Sequence, residues 1–309
     1  MEFKHVSVLK EESISGLEIK PDGVYVDCTT GGGGHSLEIA KCLTTGRLIC
    51  FDKDTDALVA AKERLKDHLD KITFVNRNFL DIDTVLEELG VDAVDGILAD
   101  LGVSSYQLDT AERGFSFRAD ARLDMRMNKT QPLDAYTVVN TYKEADLSRI
   151  MYMYGEEKNS RQIARKIVAQ RAKKPIETTF ELRDIVVSSY PPKFAHKPSL
   201  CNKVFQAIRI EVNNELEDLS IAVEKMLLKL KKSGRLCIIT FHPLEDRIVK
   251  QAFKLHSTDC ICPPHLPKCV CGHHADVSLV TRHPIVPTDN ELLSNSRSAS
   301  AKLRIVEKL

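Results

Sequence analysis

No apolar run in this chain approaches the roughly 20 residues that cross a bilayer, and no charged-then-apolar leader opens it, so a cytoplasmic protein without a membrane partner is expected. Net charge is also missing. The 44 Lys and Arg balance the 44 Asp and Glu, which excludes indiscriminate polyanion binding but leaves room for a local basic face. The nine cysteines are odd in number, and Cys28, Cys42, Cys50, Cys201 and Cys237 lie singly in apolar or helical patterns, so no disulfide framework is expected. There is no internal repeat and no low-complexity tract. With 43% hydrophobic and 28% charged residues, the 309 positions suit a soluble globular protein with one large domain plus an insertion or a small second domain.

What is present is more specific. Val24-Tyr25-Val26-Asp27-Cys28-Thr29-Thr30 is an apolar strand pattern that runs into Gly31, Gly32, Gly33 and Gly34 and then into a helical pattern. Glycine permits positive φ and close approach of the backbone to a ligand, and the helix behind it offers free N–H groups and a positive dipole end. A second apolar run, Arg47-Leu48-Ile49-Cys50-Phe51, closes on Asp52, at the separation where a Rossmann-like fold places the carboxylate that holds a ribose. A bound adenosine is therefore expected. The glycines have neither the G-x-G-x-x-G spacing of dinucleotide enzymes nor a Gly-Lys-Ser/Thr, which disfavours NAD and nucleoside triphosphates. S-adenosylmethionine, with an adenosine but no phosphate to cradle, suits the loop better. A plain tight turn is the competing reading.

The first third alternates short apolar runs, at 24–28, 47–52, 72–76 and 94–100, with amphipathic helical ones such as the Leu58, Ala61, Leu65, Leu69 stripe. From about 107 to 200 the pattern is loop and helix only, with helices near 143–153, 157–172 and 179–189 before the breaks at Pro191-Pro192 and Pro198. One long helix follows, carrying Phe205, Ile208, Val212, Leu216, Leu219, Val223 and Leu230 on a stripe, and then a fifth strand at 235–241. The expected fold class is α/β, with a Rossmann-like domain formed by 1–106 and 201–309 and an all-helical domain, 107–200, inserted into it.

The fourth strand ends in Asp100-Leu101-Gly102-Val103-Ser104-Ser105, which places Asp100 at the carboxyl edge where an open α/β sheet gathers its reacting groups. A helix cap is the alternative for this carboxylate. The following segment, with Gln107, Arg113-Gly114-Phe115-Ser116-Phe117 and Leu123-Asp124-Met125-Arg126-Met127, is too polar for a core and would suit a substrate loop whose Phe115 or Phe117 stacks on a base. Lys158, Arg161, Arg165, Lys166, Arg171, Lys173 and Lys174 fall in one stretch without an acid, so Arg161, Arg165 and Lys166 are candidates for phosphate contacts. Gln206, Arg209 and Asn213 form a polar stripe on the long helix, either a substrate face or a solvated one. His242, in Phe241-His242-Pro243-Leu244-Glu245-Asp246-Arg247, ends the fifth strand as either a second active-site group or a structural histidine.

Cys260-Ile261-Cys262 and Cys269-Val270-Cys271, with His265, His273 and His274 nearby, could close four thiolates around a structural zinc if they face each other across Pro263-Pro264. A cysteine-rich loop without metal is the other reading.

His5-Val6-Ser7-Val8-Leu9, residues 27–36, 100–107 and 113–127, Tyr154-Gly155-Glu156-Glu157, residues 205–213, 241–250 and 295–304 resemble the successive motifs of one family. It is the bacterial small-subunit ribosomal RNA cytosine-N4 methyltransferase family, also called RsmH or MraW. The resemblance runs nearly end to end, and its Asp-Leu-Gly-Val-Ser-Ser and Phe-Gln-Ala-x-Arg segments are highly specific. It implies a class I S-adenosylmethionine-dependent fold with an inserted helical domain, acting on a cytosine in the decoding region of 16S ribosomal RNA within the small ribosomal subunit. Carried over residue by residue, it implies that Gly33, Gly34, His35, Asp52, Phe79, Asp100 and Gln107 hold the methyl donor. Ser7, Arg122, Pro243 and Ser296 depart from a pattern that has Pro, Pro, Ser and Pro there, and the cysteine cluster resembles one found in only part of the family.

A delocalised cytosine amine is a poor nucleophile, so the site must hold it in line and accept its hydrogen bonds, and Asp100 or the carbonyls just after it are the candidate acceptors. Where other amine methyltransferases use an Asp/Asn-Pro-Pro-aromatic turn, this chain has Asp-Leu-Gly-Val, so an aromatic clamp must come from Tyr106, Phe115 or Phe117. Two rival functions are a Rossmann dehydrogenase and a zinc-clipped, non-catalytic RNA-binding or assembly factor. Oligomeric state, and whether free RNA or an assembled subunit is the substrate, are not encoded in any motif.

Overall fold

The computed structural model describes residues 7–194, 197, 199–263, 266 and 268–309. His5 and Val6 of the first motif, the Pro198 break, and Pro264 and His265 of the cysteine loop lie outside the described residues. The chain forms two compact units, Met1–Gly102 with Leu216–Leu309, and Val103–Glu215.

In the first unit α1 (Lys10–Leu17), β1 (Val24–Asp27), α2 (Gly34–Cys42), β2 (Arg47–Phe51), α3 (Thr55–Arg64), β3 (Ile72–Val75), α4 (Ile82–Glu88) and β4 (Val94–Asp100) follow one another. β1 pairs in parallel with β2 and β4, and β2 with β3. Val26, Ile49, Ile97 and Leu98 have no exposed surface. Strands covered on both faces read as continuous apolar runs, which is why these were visible without alternation.

The chain then builds the second unit from α5 (Ser105–Asp109), α6 (Ala135–Thr141), α7 (Glu144–Met153), α8 (Ser160–Arg171), α9 (Thr179–Ser188) and α10 (Ser199–Asn213). Val138, Leu147, Ile150, Ile163, Ile167, Leu182, Val204 and Ile208 make its core. The loop read as too polar for a core contributes to it: Phe115, Leu123, Met125 and Met127 are all buried there. The charges of that loop are paired along its edge, Arg126 with Asp124 at 2.7 Å and Arg122 with Asp134 at 2.8 Å, which frees the apolar side chains to turn inward. The unit limits also differ from 107–200, because α10 packs its apolar stripe into the helical core.

The single long helix expected after residue 200 is two helices, α10 and α11 (Glu215–Leu228). Asn214 between them has φ 50, the left-handed conformation that asparagine tolerates better than most residues and that ends a helix. The sheet then resumes with β5 (Leu230–Thr240), α12 (Pro243–His256), β6 (Val277–Leu279), α13 (Asp289–Ser294) and β7 (Lys302–Lys308). Seven strands in the order β3-β2-β1-β4-β5-β7-β6 replace the five expected. β7 runs antiparallel to both β5 and β6. The chain moves outward from β1 through β2 to β3 on one side and through β4 to β5 on the other, which leaves a topological switch point between β1 and β4, the place where open α/β sheets bind their ligands. No helix among the described residues is long and apolar enough to cross a membrane.

Candidate functional site

Three carboxylates stand at the ends of the strands around the switch point. Asp27, at the end of β1, is 1% exposed. It accepts hydrogen bonds from Ser36 Oγ at 2.5 Å and the Thr29 N–H at 3.1 Å, and burial pushes its carboxyl up to about 6 against both. The chain turns immediately through Gly31 (φ 50) and Gly33 (φ 76), the latter capping α2. A Cβ on Gly33 would press on Ala61 Cα at 3.2 Å, and one on Gly34 would overlap Ser7 Oγ, so the turn leaves no room for side chains at either position. Asp52, one residue past β2, holds the turn from the other side. Its Oδ2 accepts from the Gly31 N–H at 2.7 Å and its Oδ1 from the Asp54 N–H at 2.8 Å. Burial raises this carboxyl, too, to about 6. Each carboxylate oxygen has a second acceptor site, so Asp52 retains capacity for a pair of hydroxyls. Phe79, in the short turn at Phe79–Asp81 after β3, is half-buried against the core of the same unit.

Asp100 ends β4 beside them. Its N–H donates to Thr29 Oγ1 at 2.6 Å, which locks the end of β4 to the start of the glycine turn. Its Oδ1 is buried without a hydrogen-bond partner, and its Oδ2 lies 3.7 Å from His35 Nδ1. His35 Nε2 is 3.0 Å from the Val8 carbonyl, which can only accept, so Nε2 carries a proton. With that proton on Nε2, an attractive contact between Nδ1 and Asp100 Oδ2 requires a further proton on one of the two. Burial, then the charges of Asp27 and Glu245, push the Asp100 carboxyl well above the usual range.

His242 has a clear local role. It is the N-cap of α12, its Nδ1 accepting the Glu245 N–H at 3.4 Å, while Glu245 Oε2 accepts from the Phe241 and His242 N–H groups at 2.8 and 3.2 Å. Pro243 occupies the first helical position, where its missing N–H costs nothing. His242 Nε2 is buried without a hydrogen bond, 3.2 Å from Glu245 Oε1 but out of line with it.

Within the helical unit, Gln107 is buried and forms a capping box with Ser104, its Oε1 accepting the Ser104 N–H at 3.1 Å. Phe115 is buried in the core, so its place is in packing and not in stacking on a base, whereas half-buried Phe117 packs edge-on against Phe205 at 5.3 Å. The polar stripe of α10 is turned inward as a set of latches. Asn213 accepts the Met127 N–H at 2.8 Å and donates to the Met125 and Arg209 carbonyls at 2.8 and 2.9 Å. Arg209 makes a bidentate pair with Glu215 at 2.9 Å, and Gln206 donates to the Tyr154 carbonyl at 3.0 Å. On α8, Lys166 is drawn to the Ser188 carbonyl and hydroxyl, whereas Arg161 and Arg165, one turn apart, are exposed.

The four thiols of the cysteine loop converge. Their Sγ atoms all lie within 4.8 Å of one another.

Sequence reasoning singled out Asp52 and Asp100 but not Asp27, Thr29, Ser36 and Glu245, which fix their surroundings. The Ser104-x-x-Gln107 box was missed, although its spacing is the signal that could have found it. No local pattern announces that Thr29 ties down Asp100, because the two are 71 residues apart.

Carboxylates gathered on a glycine turn at a parallel-sheet switch point define a nucleotide-binding α/β enzyme of Rossmann-like fold. The chain belongs to the MraW methylase family, which it matches over residues 2–309, and its fold is the α/β fold of class I methyltransferases. Among curated relatives, the ribosomal RNA small subunit methyltransferase H of Clostridium botulinum (strain Kyoto / Type A2) is 56% identical over 310 residues, covering 100% of both chains. The proteins of the same name from Lachnospira eligens and Clostridioides difficile are 54% and 53% identical, each over 100% of this chain and 99% and 100% of their own. Family membership leaves no support for the dehydrogenase or the non-catalytic factor.

Proposed function

We propose that the protein transfers a methyl group from S-adenosylmethionine to the N4 amine of a cytosine in the decoding region of 16S ribosomal RNA. The observation that carries this reading is Asp100: a half-buried carboxylate with one buried, unpartnered oxygen, held by Thr29 beside the glycine turn. Further support comes from the name, ribosomal RNA small subunit methyltransferase H, shared by relatives that are 53–56% identical along the full chain. The residues also suit the donor. Gly33 and Gly34 let the turn pack tightly on Ala61 and Ser7, Asp52 has acceptor capacity for a ribose diol, and Phe79 offers an apolar flank for adenine.

When bound, the donor supplies a methyl group on a sulfonium. The protein's part is positioning and proton handling. The Asp100 carboxylate accepts a hydrogen bond from the target amine, concentrating electron density on nitrogen and fixing its direction, and receives the proton that the methylated amine must lose. A cationic neighbour favours the ionised carboxylate, lowering the high affinity for protons that burial creates. Facing that carboxylate from its other side, His35 limits its orientation. His242 and Glu245 shape the end of β5, and Asp27 and Glu245 set the negative field around Asp100. In the helical unit, Arg161 and Arg165 contact RNA phosphates, and Phe117 and Gln107 are the residues nearest in kind to a base- or donor-binding role.

Mapping methylated cytosines in small-subunit RNA from cells with and without the gene tests the proposal. The expected result is loss of one N4-methyl group in the decoding region, with transfer restored by purified protein and labelled donor on small subunits. An unchanged methylation map would overturn it.

A further inference from the structure

The segment between the end of α12 and the start of β6 is tied firmly at its neck. The Asp276 N–H donates to the His256 carbonyl at 2.9 Å, and the Asp276 carboxylate pairs with His256 Nδ1 at 2.7 Å and Lys308 Nζ at 2.8 Å. His256 Nε2 meets Glu224 at 2.8 Å, and His273 Nε2 approaches the Leu255 carbonyl at 2.9 Å. Beyond the neck nothing apolar is buried among the described residues. Ile261 is 52% exposed and Val270 78% exposed, so a hydrophobic core cannot be what orders this loop.

Four sulfurs meet there instead. The Sγ atom of Cys269 is 3.5 Å from that of Cys260, 4.0 Å from Cys262 and 3.5 Å from Cys271, and the Cys260 and Cys271 sulfurs are 3.9 Å apart. Zinc–thiolate bonds of about 2.3 Å at tetrahedral angles put sulfurs about 3.8 Å apart along each edge. These four separations bracket that edge, and all six lie within 4.8 Å. They are much longer than the S–S bond of a disulfide, about 2.05 Å, and thiol hydrogen bonds are too weak to gather four such groups on an exposed loop. The Val270 N–H points at Cys262 Sγ at 3.4 Å, the kind of backbone donor that steadies a metal-bound thiolate.

We propose that Cys260, Cys262, Cys269 and Cys271 bind one zinc ion through four thiolates, and that this ion orders the loop between α12 and β6. All four positions are filled by the protein, leaving none for water or substrate, so the ion is structural. The close approach of all four sulfurs leaves space for a single ion and not for a multi-iron cluster. This inference stands independently of the methyl-transfer reading.

Full-length protein purified under reducing conditions without added metal should contain one equivalent of zinc by elemental analysis, and exchange for Co(II) should give the intense visible bands of a tetrahedral thiolate site. Exposed Lys268 lies between the two Cys-x-Cys pairs, so trypsin reads the loop directly. Chelation, or the double variant Cys262→Ser with Cys269→Ser, should speed cleavage after Lys268 by about tenfold or more, and zinc should restore protection only to the chelated protein. Binding of S-adenosylhomocysteine measured alongside should not change, which shows that the variant is folded. Less than about a tenth of an equivalent of zinc, together with no protection on adding it, would overturn the proposal, as would iron in its place or disulfide-linked thiols in the reduced protein.

Discussion

Asp52 and Gly31 are joined by a hydrogen bond of 2.7 Å from the glycine N–H to Oδ2, so the carboxylate that closes β2 and the turn that follows β1 are braced as one piece. Replacing Asp52 with alanine removes both the brace and the proposed diol acceptor. Affinity for S-adenosylhomocysteine is expected to fall by about 10- to 100-fold, corresponding to about 1–3 kcal/mol, and to fall less for Asp52→Glu. Calorimetry showing equal affinity for wild type and Asp52→Ala would remove the residue from the ribose role.

The same residue sets a pH dependence. Burial raises the Asp52 carboxyl from its usual 3.8 to about 6, so below that pH it is protonated and has given up part of its acceptor capacity. Affinity for S-adenosylhomocysteine should therefore climb as pH rises through about 6 and level off above it. Stability of the free protein has the opposite sign: the folded state holds the proton more tightly than the unfolded chain, so stability present below 3.8 is lost as pH rises through about 6. Asp27, also near 6, adds to that loss. Asp52→Asn should flatten the affinity profile, and a profile still stepped near 6 in this variant would assign the step elsewhere.

For Asp100, loss of the carboxylate should lower the rate of methyl transfer by about 10²–10⁴-fold while leaving RNA affinity nearly unchanged. Asp100→Ala measured under saturating donor reads the first effect, and filter binding reads the second. Turnover within a few-fold of wild type would shift the acceptor role to the backbone carbonyls after it.

Asn213 makes a structural prediction of equal sharpness. Its amide satisfies the Met127 N–H and the Met125 carbonyl, both inside the helical unit, and alanine would leave these groups without their partner. Asn213→Ala is expected to cost about 2–5 kcal/mol and to lower the thermal midpoint. Wild-type stability would mean that the loop at 125–127 finds other partners.

Arg161 and Arg165 are the exposed arginines of α8, and the proposal assigns them to phosphates. Substituting both with alanine should weaken RNA binding and reduce the slope of log affinity against log salt by about two. An unchanged slope would return this face to ordinary solvated surface. Lys166→Ala should have the smaller effect on the slope, since its ammonium is already engaged at Ser188.

How far the sequence reached depended on whether a feature was local. The apolar runs of β1, β2 and β4, the glycines behind β1, and the carboxylates at 52 and 100 were readable because strand period, turn chemistry and strand-end position are set within a few residues. The paired Cys-x-Cys spacing marked a cluster for the same reason. The strand at Lys302–Lys308 was not read from the sequence, and tertiary structure alone decided that it would enter the sheet antiparallel beside β5, since a local pattern names no partner. It also turned the polar stripe of α10 inward and drew Phe115 into the core, because an amide or ring shows its destination only when carbonyls from 80 or more residues away, or a hydrophobic cavity, arrive to meet it. The lone oxygen of Asp100 belongs to this second kind: sequence placed the carboxylate at a strand end, but only the folding of β1, α2 and α12 around it excluded water and left that oxygen without a partner.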